Sequence, residues 1–162
     1  MSARNILITA LIFLNIAIDQ ISKFIVRAEV AKGSVSEIIG DVFTLHNVEN
    51  EGAFLGMGSD FSPGLRIALL LILPILVLAF VLRHIIKEKT MDNMTLVGFC
   101  CIIGGGIANV YDRIVYGSVT DFLHLDFGGF LRTGIFNIAD VSVMVGMGCL
   151  IVGSFKKKKE AK

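Results

Sequence analysis

The sequence predicts a helical membrane protein with four transmembrane helices and a small extramembrane β-sheet on the outer side after the first of them. Three observations predict it. The 162 residues are 54% hydrophobic with a mean hydropathy of +0.77, more than a soluble domain of this length needs to fill its core. Four apolar runs, at approximately 5–25, 65–83, 94–111 and 136–155, are each long enough to cross the roughly 30 Å hydrocarbon layer as helices. Residues 27–64 are different material, polar and alternating, between the first two runs. The whole chain, 1–162, reads as a single polytopic domain.

The first run opens behind Arg4 and is apolar from Ile6 to Ile18 apart from Thr9 and Asn15, then meets Asp19, Gln20 and Lys23. A cleaved signal peptide also begins this way. Here the apolar pattern resumes at Ile21, Phe24, Ile25 and Val26 with no small-x-small cleavage site directly after it, which favours an uncleaved helix. In the 27–64 region, Ser34–Ile39 and Val42–Val48 read as two strands joined at Gly40-Asp41, a pair suited to a tight hairpin. Asn50–Gly58 follows with three glycines, implying backbone that passes close to another element. The second span carries Pro74 at mid-length, an expected kink that neighbouring helices can accommodate. Residues 83–93 form a short basic connector. The third span contains Gly98, Gly104, Gly105, Gly106 and Ala108, a small-residue face for close packing, and the fourth offers Gly146 and Gly148 for the same purpose. The basic tail 156–162 holds Lys156–Lys159 and Lys162, an orientation signal and a contact for anionic membrane lipids.

Charge asymmetry orients the spans. Arg4, Arg83, Lys87, Lys89, Lys156–Lys159 and Lys162 lie on one side and make nine of the fifteen basic residues, so the positive-inside rule places both termini in the cytoplasm. The polar stretches at 19–23, 27–64 and 112–140 then gather on the outer face. The net charge of +1 comes from separated blocks rather than a basic field, so nucleic acid is not expected as a partner. Cys100, Cys101 and Cys149 all lie in apolar runs and read as small buried hydrophobes, with no disulfide framework and no metal spacing.

The stretch from Gly104 to Asp140 concentrates charge where charge is costly: four aspartates, two arginines and two asparagines. Asp121 and Asp140 each border an apolar segment at the outer membrane boundary. If they face each other across a dehydrated cleft, one holds a proton while the other stays ionised, which supplies an acid and a base for attack of water on an amide carbonyl. The alternative is that Asp140 caps the fourth helix and Asp121 ends a solvated loop. Asn109 and Arg113, four apart, share a helical face, as do Asp19 and Lys23; each pair can satisfy itself, yet all four gather at one depth. Asn137, three residues before Asp140, can orient a carboxylate or cap a helix. Asp121-x-x-His124-x-Asp126 has no second histidine to complete a metal site, Gly104-Gly105-Gly106 lacks the rest of a phosphate loop, and no serine sits in a nucleophile elbow. No metal and no cofactor is expected.

In chain order, Asp19-Gln20-Ile21-Ser22-Lys23, Asn50-Glu51-Gly52-Ala53, Gly105-Gly106-Ile107-Ala108-Asn109-Val110-Tyr111-Asp112-Arg113, Val119-Thr120-Asp121-Phe122 and Phe136-Asn137-Ile138-Ala139-Asp140 together resemble the bacterial lipoprotein signal peptidases, or signal peptidases II. The resemblance covers nearly the whole chain. It implies an intramembrane aspartic endopeptidase of the bacterial inner membrane that removes the signal peptide of prolipoproteins by cutting before a diacylglyceryl-modified cysteine; a monomer is expected. It implies Asp121 and Asp140 as the catalytic dyad, with Asp19, Lys23, Asn50, Gly52, Asn109, Arg113 and Asn137 shaping or stabilising the site, and the extramembrane sheet cradling the substrate. One departure is Phe54, where the family often has a second alanine, which bears on the shape of the pocket wall. The rival functional reading is a small transporter or ion-relay protein using its intramembrane charges; a purely structural subunit leaves the clustered asparagines and aspartates without a purpose.

Overall fold

The structure, a computed structural model, describes residues 2–53 and 57–160, with side chains through Phe155. Phe54 and the basic tail's lysine side chains, both expected to matter, lie outside what is described. Among the described residues four helices are long and apolar enough to cross a membrane: α1 (Ala3–Glu29), α2 (Pro63–Lys87), α3 (Asn93–Tyr116) and α4 (Ile138–Glu160, its apolar span being Ile138–Phe155). Their outward faces carry exposed large apolar side chains such as Phe13, Phe24, Phe80 and Met144, the arrangement that lipid as solvent requires.

Local sequence sets the helix ends. Ser2 begins α1 by accepting from the Asn5 N–H at 3.3 Å, and Asp92 begins α3 by accepting from the Thr95 N–H at 2.9 Å. Gly117 ends α3 in the left-handed region at φ 78°, which a residue with a Cβ adopts only at a cost. α1 runs past the expected end at residue 25 because its late polar residues find partners inside the protein. In α2 the irregularity precedes Pro74 rather than centring on it: Ile67–Ile72 is π-helical, with the Leu73 N–H donating to Ala68 O, and regular α-helix resumes at Leu73.

Outside the spans lies a three-stranded antiparallel sheet in the order β1 (Val35–Ile39), β2 (Phe43–Asn50), β3 (Val119–Leu125). The first two strands match the expected hairpin. The third was not anticipated: residues 119–125 read as connector, although Val119, Phe122, Leu123 and Leu125 supply the β-branched and apolar content of a strand. Its register puts Val48 opposite Asp121 and Asn50 opposite Val119. Asp121 therefore sits on a hydrogen-bonded strand, a more rigid mount than a loop.

α3 is the central helix, and three consecutive glycines let the others approach it. A Cβ on Gly104 would lie 2.6 Å from Asn15 Cβ of α1, one on Gly106 would lie 2.7 Å from Leu78 of α2, and one on Gly105 would collide with the Ala139 carbonyl of α4. Successive helical residues point about 100° apart, so Gly-Gly-Gly narrows the helix towards all three neighbours at one level. Farther along the same interface Gly98 and Gly146 meet backbone to backbone. Gly148, expected to pack likewise, faces open space; Gly146 performs that role alone of the two. At the other end of the bundle Ile8, Ile85, Leu96, Cys100 and Ile103 form an apolar cluster, with Cys100 and Cys101 buried as small hydrophobes.

Candidate active site

Asp121 enters from β3 and Asp140 from the first turn of α4, and Asn137 joins them. The Asn137 side chain is 0% exposed. Its Nδ2 donates to Asp121 Oδ1 at 2.6 Å, while its Oδ1 accepts from the Asp140 N–H at 3.0 Å. In return Asp140 Oδ2 accepts from the Asn137 backbone N–H at 3.2 Å, so Asn137 and Asp140 form a reciprocal capping box at the start of α4. Sequence left the carboxylate-orienting and helix-capping roles of Asn137 as alternatives; one side chain performs both, because its carbonyl oxygen and amide nitrogen serve different partners.

Each carboxylate has a further donor. Asn50 Nδ2 donates to Asp121 Oδ2 at 2.8 Å, and Asn109 Nδ2 donates to Asp140 Oδ1 at 3.0 Å. Asn50 also organises its own turn: its Oδ1 accepts from the Gly52 N–H at 2.9 Å and its Nδ2 reaches Ala53 O at 3.0 Å. Arg113 closes this corner, donating to Gly52 O at 2.8 Å and to Asn109 O at 3.2 Å. The close passage implied by the glycines of the 50–58 stretch is thus the Gly52 carbonyl on the Arg113 guanidinium. Burial pushes the Asp121 carboxyl up to about 6, and the nearby Asp140 charge adds to the rise, while the hydrogen bonds from Asn50 and Asn137 oppose it.

Beneath the carboxylates lies a buried ionic network. Lys23 is 0% exposed and its ammonium meets Asp19 Oδ2, Asp112 Oδ2 and Asn109 Oδ1, each at 2.8 Å. Asp19 Oδ1 accepts from the Ala139 N–H at 2.8 Å, binding α1 to the start of α4. Asp19 and Lys23 do pair across one helical turn, but as part of a larger cluster. Asp112 was not singled out from the sequence, nor were Gln20 and Arg27. Gln20 donates to Asp112 Oδ1 at 3.0 Å; Arg27 pairs with the same oxygen at 3.1 Å, donates to Thr120 Oγ1 at 2.7 Å, and lies over the Tyr116 ring. The available signal was the i, i+4, i+8 spacing of Asp19, Lys23 and Arg27, matched by Asn109 and Asp112 on one face of α3.

All nine residues singled out from the sequence therefore meet in one connected site at the junction of α1, α3, α4 and the sheet. The Asp121-His124-Asp126 pattern does not: among the described residues no three His, Cys, Asp or Glu side chains gather as a metal would require. Asp126 instead turns the chain by accepting from the Gly128 N–H, and His124 stacks edge-on against His46. Beside the site, a groove of about 570 Å³ between α2 and α3 is lined by Arg66, Ile67, Leu70, Leu71, Arg113 and Ile114, so Arg113 belongs to both the groove wall and the surroundings of the carboxylates.

Comparison with known proteins agrees with this architecture. A family model described as signal peptidase (SPase) II matches residues 11–156. The lipoprotein signal peptidase of Borrelia duttonii (strain Ly) is 35% identical over 156 residues, covering 92% of this chain and 91% of that protein. That of Gloeobacter violaceus (strain ATCC 29082 / PCC 7421) is 33% identical over 159 residues, covering 98% and 87%. A bacterial membrane enzyme whose structure was solved by the in meso method superposes with a TM-score of 0.83 at 24% identity, over 96% of this chain and 91% of that one, a likeness of fold.

Proposed function

The chain belongs to the signal peptidase II family, and we propose that it is an aspartic peptidase whose dyad is Asp121 and Asp140. It is a multi-pass membrane peptidase that removes signal peptides from prolipoproteins. The observation that carries the aspartic assignment is Asn137, whose single amide holds one carboxylate by its nitrogen and caps the other's helix by its oxygen. Two carboxylates held this way in a mostly dehydrated site share one proton.

The positive end of α4 and the Asn137 backbone N–H favour negative charge on Asp140, which leaves the shared proton on Asp121. Asp140 then takes a proton from a water whose oxygen attacks the scissile carbonyl carbon, while Asp121 gives its proton to the carbonyl oxygen. The tetrahedral intermediate collapses as Asp140 passes its proton to the amide nitrogen. The carbon–nitrogen bond breaks, and Asp121 recovers its proton from the intermediate's hydroxyl. Neither metal nor cofactor has a part in these steps. The bond cut is the one before a diacylglyceryl-modified cysteine: the lipid chains stay in the bilayer and present that bond at the boundary where the dyad sits. The α2–α3 groove, apolar towards α2 and bounded by Arg113, is suited to admit the signal peptide from the membrane. The enzyme works as a monomer in the bacterial inner membrane, both termini cytoplasmic and the dyad towards the outer face, in keeping with the asymmetry of its basic residues.

The ion-relay alternative finds no support in the family or in the placement of polar groups. The buried charges Asp19, Lys23, Asp112 and Asp121 lie together at the sheet end of the bundle, whereas the opposite end is closed by the Ile8–Ile103 cluster. The deciding experiment measures cleavage of a diacylglyceryl-modified precursor by Asp121→Asn and Asp140→Asn. Each is expected to lose turnover while keeping its fold; normal turnover by either would sink the aspartic reading.

A further inference from the structure

The sheet is tied to the ends of three helices, and those ties fix its attitude. On α1, Asn47 of β2 donates to Val30 O at 2.7 Å and to Val26 O at 3.4 Å, in the last turn of the helix. On α3, β3 begins at Val119, directly after the Gly117 cap. On α4, Leu123 of β3 exchanges two backbone hydrogen bonds of 2.8 Å with Phe136, two residues before the helix starts. Between Val119 and Leu123, then, β3 runs from one helix end to another. Gly105 packs on the Ala139 carbonyl and Asn109 bonds Asp140, while α3 continues to Tyr116 before β3 begins, so β3 runs back from the end of α3 towards the level at which α4 starts.

Beyond Leu123 the chain continues into a turn that carries apolar side chains. The Asp126 N–H donates to Val42 O at 2.9 Å, which places the 126–132 turn beside the β1–β2 turn. The turn is a tight one, closed by Phe127 N–H to Leu131 O at 2.9 Å, with Gly128 and Gly129 at positive φ. Phe130 at its apex is 91% exposed, and Phe127 and Leu131 in the same turn and Ile39 and Val42 in the neighbouring one are also exposed. Such a cluster is unusual on a water-facing surface, but aromatic and aliphatic side chains at the level of helix ends suit the region between headgroups and acyl chains.

We infer that the paired turns of the sheet, led by Phe130 with Ile39, Val42, Phe127 and Leu131, dip into the lipid leaflet that borders the active site and act as a fifth, non-spanning membrane contact. The occupant of this apolar face is lipid because the Leu123–Phe136 tie roots the turn at the start of α4, where the exposed apolar surface of that span begins. The contact would hold the sheet, and Asp121 on it, at a fixed depth relative to a lipid-anchored substrate. It requires only that the four helices span the membrane, and it stands or falls independently of the aspartic dyad.

The chain contains no tryptophan, so one introduced indole reports alone. The full chain carrying Phe130→Trp, and separately Ile39→Trp, is placed in liposomes and compared with Phe13→Trp on the exposed face of α1. Emission at both tip positions is expected to be blue-shifted, quenched by lipids brominated near the glycerol end, and shielded from acrylamide. The bromolipid loss should approach that of Phe13→Trp, whose strongest quenching comes from more deeply brominated chains. Quenching by acrylamide and not by bromolipid would place the turns in water and overturn the inference. Insensitivity to both quenchers would mean that protein covers the face, and would overturn it equally. The two positions lie on different turns, so failure of one variant to fold leaves the other to decide.

Discussion

The buried ammonium of Lys23 donates to Asn109 Oδ1 at 2.8 Å, and this contact determines which way the Asn109 amide points. A lysine can only donate, so the amide oxygen must face it and Nδ2 is turned to Asp140 Oδ1 at 3.0 Å. The same ammonium compensates Asp19 and Asp112, all three being 0% exposed.

Lys23→Met should therefore destabilise strongly, by about 3–5 kcal/mol, because it leaves the buried carboxylate of Asp19 without a cation and Asp112 with Arg27 alone. Thermal unfolding in detergent measures this. Adding Asp112→Asn to Lys23→Met should recover part of the loss; no recovery would mean that the network is not governed by charge balance.

Asn137 has two separable duties. Asn137→Ala should cost about 0.5–2 kcal/mol of stability through the lost cap and lower kcat by roughly 10²-fold or more through disordered acid–base geometry. Asn137→Ser keeps a capping oxygen but has no amide to give Asp121. It should restore stability without restoring the rate. If serine restores both, the amide to Asp121 is dispensable.

Activity should depend on pH through the pair. Burial, with the Asp140 charge adding, places the Asp121 carboxyl at about 6, above its ordinary range. A raised carboxyl favours the protonated folded state, so its contribution to stability is full below the ordinary range and is lost as pH rises through about 6. For the reaction, kcat/KM should fall on the alkaline side as the shared proton leaves, with a limb at or above about 6, and on the acid side as the second carboxylate protonates. The apparent values belong to the dyad as a unit. A profile measured in nanodiscs that shows no alkaline limb would contradict a shared proton.

The α3–α4 seam should resist any added side chain. A Cβ on Gly98 would stand 2.8 Å from the Gly146 carbonyl oxygen, so Gly98→Leu should force the helices apart and cost about 1–3 kcal/mol or more. Gly148→Leu, which enters open space, should be close to neutral in the same unfolding measurement.

Much of the fold follows from composition and local pattern. Lipid as solvent demands long apolar helices, and the four spans are legible for that reason; the β1–β2 hairpin is legible because Gly40-Asp41 interrupts two alternating runs. Strand β3 is not, since its identity depends on pairing with β2, some seventy residues earlier. In the site, the pairs Asp19–Lys23 and Asn109–Arg113 are visible because helical periodicity places each pair on one face. Asp112 is not, since its partners Gln20, Lys23 and Arg27 lie on another helix.

The chain's order of residues was thus enough to decide that this protein spans a membrane four times, that its charge collects near one boundary, and that Asp121 and Asp140 are the residues to consider. Tertiary structure alone decided that Asn137 serves both aspartates, that Asp121 is mounted on a strand, that three adjacent glycines face three different helices, and that Phe130 stands exposed on a turn tied back to the start of α4. The physical reason is range. Hydropathy and helical spacing act over a few residues, whereas the contacts that assemble the site, Asp19 with Ala139 or Asn50 with Asp121, join residues 120 and 71 apart in sequence, and only the packed bundle brings them within reach.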